Sequence, residues 1–92
     1  MAWYRTCPLG HPLYRYRGEI WCSHGSLCYI EKNLGRLGRW RRRVDPEKDN
    51  TWIFERKMGR KWVKMYEASY EDILFNRLPD KIARINELLS KE

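Results

Sequence analysis

The 92-residue chain has no glutamine, and no cysteine or histidine outside residues 7–28. It also lacks any apolar run near the roughly 20 residues that a membrane-spanning helix requires. Its first residues, Met-Ala-Trp-Tyr-Arg-Thr-Cys, offer neither the apolar stretch nor the small-residue cleavage site of a secretory leader. A reducing, cytoplasmic setting is therefore expected, with no membrane partner. Three cysteines cannot all pair with one another, so in that setting clustered Cys and His favour a metal over disulfides. Acids are scarce in the first half: residues 1–44 carry nine Lys or Arg against two acids, whereas residues 45–92 carry ten of each. The net charge of +7 thus belongs entirely to the first half, and a one-sided field of this kind points to an anionic partner, nucleic acid foremost. Catalytic signatures are missing too. No nucleophile sits beside a base, no Gly-rich phosphate loop opens a helix, and no pair of acids accompanies the Cys/His cluster, so an enzyme is not expected. The missing glutamine, with abundant Arg, Glu, Lys, Ile, Trp and Tyr, fits a thermophile.

What is present is concentrated between Cys7 and Cys28. Cys7-Pro8-Leu9-Gly10-His11 reads as a tight turn, in which Pro8 fixes one φ angle and Gly10 permits the positive φ that folds a chain back on an ion. Leu13 to Cys22 reads as a hairpin turned at Gly18, and Cys22-Ser-His24-Gly-Ser-Leu-Cys28 as a second turn-rich segment. Zinc takes four thiolate or imidazole ligands in a tetrahedron. The expected set is Cys7, His11, Cys22 and Cys28 around Zn2+, with His24 a fifth candidate able to replace His11 or Cys28. With four or five ligands available, a closed structural site is expected. The stretch resembles a zinc-ribbon or treble-clef module, in which two ligand-bearing turns meet at the open end of a hairpin. It departs from that pattern in its spacing, Cys-x3-His and Cys-x5-Cys instead of two Cys-x2-Cys knuckles.

Arginine is the second dense signal. Arg15 and Arg17 lie in the first hairpin, and Arg36, Arg39, Arg41, Arg42 and Arg43 fall within eight residues. Guanidinium forks match phosphate oxygens. Tyr14, Tyr16 and Trp40 interleave with these arginines and suit stacking on unpaired bases. On a strand, Arg39, Arg41 and Arg43 share one face, while Arg42 stands with Trp40 and Val44 on the other. Lys57, Arg60, Lys61 and Lys64 extend the patch unless they pair with Glu55 and Glu67. The bland alternatives are an aromatic core and arginines paired with the acidic loop 45–50.

The expected fold is α+β in one domain. Residues 1–34 form a zinc-stapled hairpin module in which Trp3 and Tyr4 pack beside the first ligand, and Tyr29 to Asn33 begins a short strand or a helical turn. Residues 35–68 form a three-stranded antiparallel meander, with strands near 39–44, 51–57 and 61–67. Residues 69–92 form a helical segment: Ser69 and Asp72 resemble a capping box, Tyr70 to Arg77 a first helix with Ile73 and Leu74 inward, and Pro79 a kink or a second start. Ile82, Ile85, Leu88 and Leu89 then make one apolar stripe. These features suggest a small structural-zinc protein that binds nucleic acid, RNA or non-specific backbone more than a DNA sequence, because no arginine-bearing recognition helix is expected. Ribosome-associated, transcription accessory and viral roles all fit, and a larger ribonucleoprotein or a protein is a further partner open to the chain. The alternative is a zinc-stabilised adaptor or inhibitor docking on a protein through its basic face or C-terminal helix.

Overall fold

A computed structural model of the chain describes residues 6–25 and 27–91. Six strands form one antiparallel sheet in the order of the sequence: β1 (Leu13–Tyr16), β2 (Glu19–Cys22), β3 (Tyr29–Asn33), β4 (Arg39–Val44), β5 (Thr51–Met58) and β6 (Lys61–Ser69). Two helices follow, α1 (Tyr70–Leu74) and α2 (Asp80–Ser90). The class is α+β, but the sheet is larger than the sequence suggests. The hairpin and the meander are not separate, because β3 joins them: Ile20 pairs with Glu31 on one side and Ile30 with Arg42 on the other. Tyr29, Ile30, Glu31 and Lys32 are all buried, as befits an interior strand with a neighbour on each side. Trp3 and Tyr4 lie outside the described residues, and Thr6 meets Pro12 in an isolated antiparallel bridge.

Strand alternation divides the sheet into two unlike faces. One face carries Ile30, Trp40, Phe54 and Ala68, on which α2 lays Ile82, Ile85 and Leu89. Each of those side chains contributes about 2 kcal/mol of apolar burial. Leu88, also expected in the stripe, is half-buried, and Asn86 is buried in its stead. Asn86 is there for Arg42, which reaches from β4 beneath the helix and donates to Asn86 Oδ1 and, at 3.0 Å, to Ser90 Oγ. At the sheet's near end, Trp40 Nε1 donates to the Leu37 carbonyl at 2.7 Å, over a 3-10 turn at Gly35–Leu37. Gly38 follows at φ +92°, an angle that favours glycine, and a Cβ there would stand 2.9 Å from Arg56 Nε and push that side chain aside.

The helices are cut by local chemistry. Ser69 and Asp72 make the reciprocal capping box: Ser69 Oγ accepts from the Asp72 amide, and Asp72 Oδ2 accepts from the Ser69 amide. The first helix ends at Leu74, three residues before the expected Arg77. Asn76 takes a left-handed φ of +54°, its amide bonds to Ile73, and the Arg77 amide bonds back to Asp72 at 2.7 Å, which is the closing pattern of a Schellman motif. This early stop leaves Leu74 57% exposed, contrary to the inward placement expected for it, while Ile73 packs against the core. Pro79 starts the second helix as its N-cap and does not kink a single one. No helix among the described residues is long and apolar enough to cross a membrane.

Candidate metal centre and cationic cleft

The first turn closes on itself. The Cys7 amide bonds to the His11 carbonyl at 2.8 Å, and the Gly10 amide returns to the Cys7 carbonyl at 2.8 Å. Gly10 takes φ +90°, a value that side chains rarely adopt. The second turn is built alike, with the Gly25 amide on the Cys22 carbonyl at 2.9 Å and the Cys28 amide on Gly25 at 3.3 Å. A Ser23 amide bond to the Pro12 carbonyl at 3.0 Å ties the two turns together. In each turn an amide also donates to sulfur: His11 N–H to Cys7 Sγ and His24 N–H to Cys22 Sγ, both at 3.3 Å. Such outer contacts fix the orientation of the two sulfur atoms, as the surroundings of metal ligands do.

These turns bring the donor atoms of Cys7, His11 and Cys22 within 4.8 Å of one another. A zinc ion with Zn–S near 2.3 Å and Zn–N near 2.05 Å sets an S···N tetrahedral edge of about 3.5 Å. Cys22 Sγ and His11 Nδ1 are 3.7 Å apart. Cys28 stands at the margin of this triad: it packs against the cluster of Cys7, Cys22 and Tyr29 and interacts with both other thiols. Burial, with the Cys22 and Cys7 thiols beside it, pushes the Cys28 thiol up to about 11. No cysteine among the three is in a disulfide. His24 does not join the triad. Its ring stacks on that of His11, centroids 3.8 Å apart, and so covers a ligand candidate instead of replacing it.

The face of the sheet opposite α2 is open, and the arginines expected at a nucleic-acid surface divide between the two faces. Trp40 and Arg42 are corrections. They point beneath α2, with 0% and 1% exposure, and cannot stack on a base or meet a phosphate at the surface. Burial pulls the Arg42 guanidinium down to about 10. Arg39, Arg41 and Arg43 lie on the open face, and they pair with carboxylates on neighbouring strands, not with the loop 45–50. Arg39 Nε meets Glu31 at 2.5 Å, while Arg41 Nε and Arg43 Nε share Glu55 Oε1 at 2.6 and 2.9 Å. Burial raises the Glu55 carboxyl, but the hydrogen bonds and charges of Arg43 and Arg41 outweigh it and hold the group below its ordinary value.

A cavity of about 790 Å3 opens on this face. Among the described residues, its cations are Arg15, Arg39, Arg41 and Lys57, its one acid is Glu31, and Tyr14, Tyr29 and Trp62 add rings. Tyr29 donates its hydroxyl to Glu31 at 2.8 Å and accepts from Arg41 at 3.3 Å. Burial, with Glu31 nearby, pushes this phenol up to about 12, so it remains a donor. Tyr16, Arg17, Arg36 and Arg43 do not line the cavity. Arg17 sits in the β1–β2 turn at φ +51° and lies 5.1 Å over the Tyr16 ring, and Arg36 is exposed on the 3-10 turn. Of the second hairpin's lysines, Lys57 lines the cavity while Lys64 pairs with Glu67 at 3.1 Å. Trp62 is the residue that sequence reasoning passed over. The available signal was its place opposite Lys57 across a two-residue turn, which puts both side chains on one face.

Compared with known proteins, the chain matches no family model, no curated protein and no solved structure.

Proposed function

We propose that this chain is a small nucleic-acid-binding protein, held by a structural zinc ion, that grips an RNA backbone without reading sequence. The observation that carries the reading is the open-face cavity, where four cations surround one carboxylate. The zinc ion would be held by Cys7, His11, Cys22 and Cys28, in keeping with the likeness to a zinc-ribbon module. The amide-to-sulfur bonds and the 3.7 Å S···N edge favour that ion. Bound there, zinc would replace the thiol protons and join two turns that have only a thin apolar core of their own, Leu13, Ile20 and Tyr29. The helical segment 70–91 is neutral, with four bases against four acids, and so offers no strongly basic recognition helix for a DNA groove, which favours RNA and backbone contact.

Fluorescence anisotropy with a short RNA tests the reading. Log Kobs is expected to fall linearly with log salt concentration, as phosphate neutralisation requires. An RNA affinity indifferent to salt, or no binding at low salt, contradicts it. A second reading, a protein-docking module, draws on Leu74 and Phe75, adjacent and 57% and 60% exposed. One stoichiometric protein retained on the chain after nuclease treatment, and lost on changing Phe75 to Ser, would favour that reading.

A further inference from the structure

The four cations of the cleft are not equivalent. Arg39 and Arg41 are held by Glu31 and Glu55. Among the described residues, Arg15 has no carboxylate partner, and Lys57 meets only the Trp62 ring, 5.8 Å away. Both are exposed and both line the cavity, Arg15 from β1 and Lys57 from β5. They are the two charges left to neutralise something from outside. Arg41 is different again. Its Nε is taken by Glu55, its NH1 donates to the Tyr29 hydroxyl, and its guanidinium lies over the Trp62 ring at 4.4 Å. Two of its five donor hydrogens are engaged in this way, and beside the donors that are left it offers a cationic group backed by an indole.

We infer that the cleft takes one unpaired nucleotide of a single-stranded RNA, the base stacked on the Arg41–Trp62 platform and the flanking phosphates set against Arg15 and Lys57. This rests on the RNA reading above and deepens it. A base can reach a platform on the floor of a cleft only when it is unstacked from its neighbours, and duplex bases are not. Guanidinium and aromatic planes accept any base, so the site selects strandedness and not sequence.

The test compares the full chain's binding to an RNA of about 12 nucleotides and to the same RNA annealed to its complement. The single strand is expected to bind about tenfold tighter, with quenching of tryptophan fluorescence. Changing Arg15 and Lys57 together to Ala, two exposed positions, should weaken single-strand binding about tenfold and flatten the salt slope by about 1.4, two phosphates at 0.7 each. Trp62→Ala should cost about tenfold, and Trp62→Phe should restore most of it. Equal affinity for duplex and single strand overturns the inference, as does an unchanged salt slope in the Arg15→Ala, Lys57→Ala variant. In both cases RNA binding itself survives, so the wider reading stands. Failure to bind either form overturns both.

Discussion

Strand β4 places the same residue type on two faces of one sheet, with opposite consequences. On the closed face, Arg42 is sealed under α2 with Trp40 and is bonded to Asn86 and Ser90. On the open face, Arg39, Arg41 and Arg43 stand in a carboxylate lattice beside a cleft. The closed face is held by apolar packing and needs no ion. The open face has only a small core, the cysteine cluster with Tyr29, Leu13 and Ile20, and it leaves charge exposed. Stability is thus concentrated on one side and exposed charge on the other. An arginine count taken from the sequence does not separate them, since the face decides.

The comparison is sharpest at Trp40. Trp40→Ala removes a fully buried indole from the closed face and should lower stability by about 3–5 kcal/mol, measured by urea unfolding. Where the variant is still folded, its RNA affinity should match the parent's. A large loss of affinity in a folded Trp40 variant would break the division of the faces. Arg42→Ala should cost about 2 kcal/mol, because Asn86 loses the partner it is buried with. Arg42→Met combined with Asn86→Leu, which removes both buried polar partners, should recover much of that. Neither should change the salt slope of RNA binding.

The open face should show itself in acid. The Glu55 carboxyl is held below the ordinary value of 4.5 when folded. A lowered carboxyl pKa means that its stabilising effect is fully present above that ordinary value and is lost as pH falls through the lower folded one. Unfolding midpoints should therefore drop on acidification below about pH 4.5. Glu55→Gln should lower stability by about 1 kcal/mol at neutral pH and blunt the acid loss. An unaltered acid profile in that variant would remove Glu55 as the keystone of the arginine lattice.

Much of this architecture was legible because short-range chemistry wrote it. The Pro/Gly turn at Cys7–His11, the Thr51–Ser69 hairpin and the Ser69 capping box each act over a few residues, and alternation along Arg39–Val44 divided the two faces correctly. What was not legible depends on partners distant in the chain. Whether Tyr29–Asn33 is a strand depends on Arg39–Val44 being there to pair with it. Which face of β4 becomes the core depends on where α2 lands, so Trp40 passed for a surface ring. The pairing of Arg41 and Arg43 with Glu55 requires a strand register that no local pattern states. At the Cys/His cluster the turns were readable. The stacking of His24 on His11 was not, because it depends on how the two turns face each other.

The account depends most on an ion holding the open face in shape for RNA. Native mass spectrometry of the full chain with a single-stranded RNA, before and after treatment with a strong chelator, measures this directly. The predicted result is one zinc ion per chain and a one-to-one RNA complex, both lost together on chelation and both restored by adding zinc. A metal-free chain that binds the same RNA equally well would contradict the account.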